Sequence, residues 1–231
     1  GNGAQITINN TKLTCDDQSS AEGYAAISAN ADGANIVVNG GEVVVNGDST
    51  AANIFGANSA ITFNGTVGAE EAKVIVAKIG EAGFYTLQEA LDYAAEKGGV
   101  VKLIRDVESD LIITISGSVT LDGNGHKLTS TAPRAINVDG ANGATIKNLT
   151  IEAAGERAIN VINGSTNVTI ENVTATAANY AVNVAGSAAN TVITINDSDL
   201  TGLNTVNVAG NGAQITINNT KLTCDDQSSA E

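Results

Sequence analysis

A short phrase recurs along the chain, and it constrains the fold more than any other feature. Two apolar residues alternate with outward-facing residues, most of them polar, and the phrase then ends on Gly, Asn or Asp. The closing residues, which we call the turn column, are Gly123, Asn148, Asn172, Asp197, Asn219, Gly40 and Gly65. These residue types adopt a left-handed backbone at low cost. Alternation followed by such a residue predicts a β-strand that ends in one recurring turn.

A second phrase predicts another strand in each repeat. Ala-Ile-Asn-Val or a close variant occupies residues 135–138, 158–161, 181–184 and 205–208. Coils of about 23 residues with two strands each predict an all-β chain that forms a right-handed parallel β-helix, or solenoid. Coils stack about 4.8 Å apart in such a fold, so equivalent residues form ladders. We expect the asparagines of the second phrase to form an outward row: Asn137, Asn160, Asn183 and Asn207.

One helix is predicted, over residues 86–97. Thr86 is a suitable N-cap with Glu89 three residues later, and Gly98 can close the C-terminus. The apolar positions form one stripe of a helix: Leu87, Ala90, Leu91 and Ala94. Because an open solenoid end exposes its core and strand edges, we expect this helix to act as a cap.

A much longer repeat encloses the short ones. Residues 1–22 and 210–231 are identical, which gives a period of 209 residues. We therefore expect an excerpt from a tandem array, with the last coils of one unit at 1–71 and the head of the next at 72–231. Cys15 and Cys224 are the same position in successive units, so we expect one buried thiol per repeat and no disulfide.

Residues 76–107 and 121–128 carry a family resemblance. The segments VAKIGEAGFYTLQEALDYAAEKGGVVKLIRDV and LDGNGHKL resemble the start of pectate-lyase-like β-helix modules in large bacterial surface and secreted proteins. The resemblance covers roughly residues 72–175 and implies a repeat unit that begins near residue 72. It implies a fold without implying an activity, because one fold hosts many functions.

The net charge of the chain disfavours some classes of binding partner. The chain has 11 basic and 25 acidic residues, a net charge of −14. This balance argues against nucleic acid and anionic membranes, which attract basic surfaces. No run of 18 apolar residues occurs, so we expect no membrane insertion.

Residues suited to catalysis or metal binding are sparse. His126 is the single histidine, so no catalytic triad or histidine metal site can be assembled. It belongs to the segment LDGNGHKL, where the family resemblance implies that it stabilises a turn. Acidic groups close in sequence are expected to form a solvated rim: Asp197 and Asp199, Asp16 and Asp17, and Asp106, Glu108 and Asp110. Calcium at Asp16 and Asp17 is an alternative. We predict a protein that is not an enzyme, with no catalytic, cofactor-binding or metal site.

One set of residues is a candidate ligand ladder. Arg134, Arg157 and Tyr180 each precede the second strand, so they should stack on successive coils. Two guanidinium groups at that spacing repel each other unless an acid or a ligand lies between them. Glu152 and Glu156 are the expected acids, and a sugar acid is the alternative.

Together these features predict a structural repeat of an extracellular, secreted or cell-surface fibre or stalk. Its expected partners are copies of itself, stacked end to end into a stiff filament. The alternative is an adhesin or glycan-binding module, which would bind extracellular glycans. Few aromatic residues and no Trp disfavour extensive sugar platforms. A polysaccharide-degrading enzyme ranks third.

Overall fold

A computed structural model describes residues 2–16, 24–47 and 49–225. The chain forms two compact units, Gly1–Thr86 and Leu87–Glu231. Each is built of parallel strands stacked coil on coil, so the predicted all-β solenoid is confirmed. No helix within the described ranges is long and apolar enough to cross a membrane.

The described part of the first unit contains ten strands. They are β1 (Gln5–Asn9), β2 (Lys12–Asp16), β3 (Ala25–Ala29), β4 (Asn35–Asn39), β5 (Glu42–Asn46), β6 (Thr50–Ile54), β7 (Ala60–Asn64), β8 (Lys73–Val74), β9 (Ala77–Ile79) and β10 (Ala82–Phe84). Parallel ladders run in the orders β1-β4-β7, β2-β5 and β3-β6-β8, and β9 and β10 form an antiparallel hairpin. Because β8 pairs with β6, residues 73–74 continue the preceding coils. The boundary predicted at 71/72 stays a prediction.

Up to residue 225, where the described part ends, the second unit begins with the helix and continues with fifteen strands. They are α1 (Leu87–Lys97), β11 (Val100–Leu103), β12 (Val107–Ser109), β13 (Ile113–Ile115), β14 (Thr120–Asp122), β15 (Lys127–Ser130), β16 (Arg134–Asp139), β17 (Thr145–Ala153), β18 (Arg157–Ile162), β19 (Val168–Ala177), β20 (Tyr180–Val184), β21 (Val192–Asn196), β22 (Asp199–Gly202), β23 (Val206–Val208), β24 (Gln214–Asn218) and β25 (Lys221–Cys224). One face follows β11-β14-β17-β19-β21-β24, and another follows β13-β16-β18-β20-β23. A third follows β12-β15-β17-β19-β22-β25, so each coil has three strands where the sequence predicted two.

Strand alternation decides which side chains form the core. Thr120, Thr145, Thr169, Thr194 and Thr216 pair in register along one ladder. Their neighbours on the opposite side of the strands are fully buried: Leu121, Ile146, Ile170 and Ile195. The apolar/polar alternation therefore predicted both the strands and their register.

Six of the seven turn-column residues adopt a left-handed backbone. The left-handed positions have φ between 43° and 66°: Asn148, Asn172, Asp197, Asn219, Gly40 and Gly65. Gly123 is the exception, because Asn124 takes the positive φ of 53° in that coil. A Cβ atom on Gly123 would lie 2.5 Å from the carbonyl oxygen of Asn148 in the next coil. Glycine is required there by close packing, and the prediction of a left-handed Gly123 is wrong.

The helix is confirmed and covers the first coil of its unit. The four predicted stripe residues are buried, and Gly98 donates to the Ala94 oxygen at 2.9 Å with φ of 79°. The Gln88 amide bonds both backbone groups of Thr114 in β13, at 2.7 and 3.0 Å. One side chain thus satisfies backbone groups that a further strand would otherwise pair.

The turn column generates a stability prediction at Asn172, whose φ is 51°. Replacing Asn172 with Val should lower the free energy of unfolding by about 1–2 kcal/mol, because a β-branched residue resists the left-handed backbone. Urea denaturation measures the change. Asn172→Gly is the matched control, since it loses only the side-chain bond to Asn148 and should cost less. Equal stability of Asn172→Val and the parent chain would contradict this account.

Candidate functional site

The segment that occurs twice pairs differently in its two copies. We call residues 1–22 and 210–231 the repeated coil; its described parts contain β1 and β2 in the first copy and β24 and β25 in the second. The first copy pairs with the coil that follows it, Gln5 opposite Asn35. The second pairs with the coil that precedes it, Gln214 opposite Val192. The two copies have the same sequence, but each contacts its neighbouring coil through the opposite edge of its strands.

The first copy of the repeated coil bonds the following coil through one set of backbone groups. The Gly3 and Asn10 amides donate to that coil, to the carbonyls of Asp32 and Asn39 at 2.8 Å each. Two carbonyls, those of Ala4 and Thr11, accept from the amides of Asn35 and Glu42 at 2.8 and 3.1 Å.

The second copy uses other positions. Gln214 and Lys221, the equivalents of Gln5 and Lys12, donate to the preceding coil at 2.8 Å each. The carbonyls of Asn211 and Asn218, equivalent to Asn2 and Asn9, accept at 2.8 and 3.1 Å. The two sets share no backbone group, so one coil can bond both neighbours without competition.

One side-chain amide also uses different atoms in the two copies. In the first copy Asn9 accepts through Oδ1 from Asn39 Nδ2 at 3.0 Å. In the second copy the equivalent Asn218 donates through Nδ2 to Asn196 Oδ1 at 2.9 Å. The amide uses opposite ends toward the two neighbours, so an asparagine ladder can run through this coil.

Each copy of the repeated coil leaves apolar side chains exposed. Ile6 is 47% exposed in the first copy, and in the second Ile217 is 38% and Leu222 47% exposed. Residues at equivalent positions of interior coils, such as Ile146, are fully buried. Exposure follows from the pairing, because among the described strands each copy pairs along one edge only.

The expectation of a buried thiol is wrong, because the cysteine lies in the repeated coil, which pairs along one edge in each described copy. Cys224 is exposed and Cys15 is half-buried, and both are free. Cys15 lies opposite Val45 of the following coil, whereas Cys224 lies opposite Gly202 of the preceding coil.

The candidate ligand ladder forms a groove in the second unit. Arg134 pairs with Arg157, and Arg157 pairs with Tyr180, in the register of β16, β18 and β20. The predicted stacking on successive coils is therefore confirmed. These residues line a groove of about 460 Å³, which we call the Arg–Tyr groove.

The two arginines of the groove have unequal partners. Arg157 lies 3.5 Å from Glu156 through Nη2, and its Cζ is 5.9 Å from the ring centroid of Tyr180. Arg134 has no side-chain ion pair or hydrogen bond to any residue that the structure describes. Glu152, the other expected acid, pairs with Lys127 at 3.0 Å, so that part of the expectation is wrong. Nε of each arginine is buried without a hydrogen-bond partner.

An asparagine ladder lines the same groove. The row begins at Asn137, and Nδ2 of each later member donates to Oδ1 in the preceding coil at 2.7–2.8 Å: Asn160, Asn183 and Asn207. Asn160 and Asn183 are only 2% and 4% exposed. The row lies on the outward face of its strands and lines the groove, but these two side chains have little exposed surface because their amides are engaged with one another.

Comparison with known protein families, with curated proteins and with solved structures finds no match. The geometry of the repeated coil and of the Arg–Tyr groove is therefore the basis for assigning a function.

Several of the acidic residues singled out from the sequence are engaged in local bonds. Asp106 accepts from the Lys127 amide at 3.0 Å and lies 3.3 Å from His126 Nδ1. The Lys127 amide first, and then His126, hold the pKa of Asp106 below its ordinary value. Asp199 pairs with Lys221 at 3.2 Å. Within the described ranges no three His, Cys, Asp or Glu residues cluster as metal ligands, and Asp17 lies outside those ranges.

His126 and Asp122 support the turn of their coil. The His126 amide donates to the Gly123 carbonyl at 2.8 Å, as expected for a turn residue. Asp122 accepts from Asn148 Nδ2 at 3.0 Å and from the Asn124 amide at 2.9 Å. Burial acts to raise the pKa of Asp122, but these hydrogen bonds and the nearby Lys147 and Lys102 outweigh burial and lower it.

This balance generates a pH prediction. The folded-state pKa of Asp122 lies below its unfolded value of about 3.9, so Asp122 stabilises the fold above that pH. The contribution is lost as pH falls through the folded-state pKa. Asn148→Gly keeps the left-handed turn but removes the donor, so the pKa of Asp122 should rise. NMR titration of the carboxyl carbons measures it, and an unchanged pKa would refute the assignment. Asp106 is the internal control and should not shift.

Proposed function

We propose that this chain is a structural module of an extracellular fibre or stalk, in which copies succeed one another through the repeated coil. One observation carries the proposal: the two copies of that coil bond opposite neighbours through backbone groups that do not overlap. A segment used in two such ways is suited to an interior position between two coils.

Stacking has a physical driving force at this coil. An unpaired strand edge favours the addition of another strand, because its amides and carbonyls then gain partners. The same addition would cover Ile6 in one copy, or Ile217 and Leu222 in the other. Backbone pairing and apolar burial therefore favour the same arrangement.

Charge and resemblance support the same role. A net charge of −14 disfavours side-by-side association of copies, so contacts at the coil edges are favoured over lateral ones. Residues 72–175 resemble pectate-lyase-like β-helix modules of bacterial surface and secreted proteins, which suits an extracellular location. The module would act through its length and stiffness and not through catalysis.

Hydrogen exchange tests the two edges directly. In the single chain, the amides of Gly3 and Asn10 should be protected and those of Gln5 and Lys12 should exchange fast. A two-copy chain, made of residues 1–209 followed by 1–231, places one repeated coil between two neighbours. In that interior coil all four amides should be protected. The Thr145 amide, bonded to Val119, is the control and should not change.

Fast exchange at Gln5 and Lys12 of the interior coil would show that the join does not form. The proposed function would then fail.

Small-angle scattering tests stiffness. A chain with three copies of residues 1–209, closed by 210–231, should behave as one straight rod. About eight coils per copy at about 4.8 Å give an axial rise on the order of 40 Å per copy. Variable angles between copies in cryo-electron micrographs, or scattering typical of flexibly linked beads, would contradict a stiff filament.

A further inference from the structure

We propose that the Arg–Tyr groove binds a small molecule through a carboxylate group. This site lies within the second unit and is separate from the repeated coil, so it does not depend on the proposed structural role. Its components are the guanidinium groups of Arg134 and Arg157, the ring of Tyr180 and the asparagine row beside them.

The groove carries positive charge that favours binding of an anion. Two of the chain's 11 basic residues lie together in an acidic protein, and the residues that line the groove in the described structure include no Asp or Glu. Glu156 neutralises Arg157 at 3.5 Å, and Arg134 has no ion-pair partner among the described residues. One positive charge remains, which matches a singly charged anion.

The in-register pairing of the two arginines favours a planar anion with two acceptor oxygens. Arg134 and Arg157 lie opposite each other on neighbouring strands, about 4.8 Å apart along the stacking direction. A guanidinium group is a planar fork of donors that matches a carboxylate, which accepts through two oxygens. A carboxylate between the side chains accepts from both forks and relieves their mutual repulsion.

The remaining lining accommodates an organic carrier. The groove volume of about 460 Å³ is within the usual range of small-molecule sites, roughly 300–1,000 Å³. Tyr180 offers an aromatic face beside Arg157, and Ile162 and Ala185 add apolar surface. The asparagines of the row already bond one another, so the arginines are the main donors for a ligand.

An NMR titration of the full chain tests the site. The Arg134 and Arg157 side-chain Nε–H signals are followed as acetate, D-glucuronate, D-glucose or chloride is added, at constant ionic strength. Acetate and glucuronate should cause saturable shifts, whereas glucose and chloride should not. Tighter binding of glucuronate than of acetate would identify a sugar acid as the preferred carrier; equal binding would identify the carboxylate as sufficient.

Variants separate binding from folding. Arg134→Gln and Arg157→Gln should each weaken glucuronate binding about tenfold, the loss expected for one charged hydrogen-bonding partner. Glu156→Gln should tighten binding, because it removes the carboxylate that competes for Arg157. Lys147→Gln is the matched control, since it removes a cation on β17 that does not line the groove, and binding should be unchanged.

Two results would overturn the proposal. Shifts that chloride reproduces at equal ionic strength would show general screening in place of a site. Unchanged binding in both arginine variants would place the anion elsewhere. Because Glu156→Gln is expected to gain affinity, unfolding of an arginine variant leaves the proposal testable.

Discussion

In-register hydrogen bonding between neighbouring coils is the interaction on which the rest of the structure depends. A strand in this fold has two edges, and each edge must find amides and carbonyls in another segment. Interior strands such as β17 and β19 find them in the coils before and after. Gln88 of the helix supplies them to β13 with one side-chain amide. The two copies of the repeated coil have the same sequence, and each pairs through a different edge. The functional proposal rests on this difference.

Because the coils stack in register, equivalent residues form columns. The donors and acceptors of the residue type decide whether the side chains of a column can satisfy one another's hydrogen bonds. An asparagine amide is both donor and acceptor, so a row of asparagines bonds itself from coil to coil and tolerates burial. Asn160 and Asn183 are buried in this way. A guanidinium group only donates, so Arg134 and Arg157 cannot satisfy each other and need an acceptor from outside their own column. Glu156 meets that need for Arg157. The contrast between two adjacent columns supports the proposal that the Arg–Tyr groove binds an anion.

The turn column shows how local and packing requirements overlap. Asn148 and Asn172 occupy it because their backbone is left-handed, and their side chains also bond along the column. Gly123 occupies it because the next coil leaves no space for a Cβ atom, while Asn124 makes the left-handed turn. Both causes select the same residue types, so the sequence predicts a turn there without distinguishing which residue adopts the positive φ.

The sequence by itself predicted two strands of each coil with their register, a helix over residues 86–97 and the period of the repeat. It did not predict the strands that follow the turn, such as β2, β15 and β22. Alternation of apolar and polar residues decides which face a side chain occupies, and repetition decides which residues become neighbours. Only the tertiary structure decided how deeply each position is buried and which charged groups meet. Glu152 binds Lys127 instead of an arginine, Cys224 is exposed, and Asn183 is buried. These outcomes depend on distances between coils and on whether a coil has one neighbour or two, which a pattern along one strand does not contain.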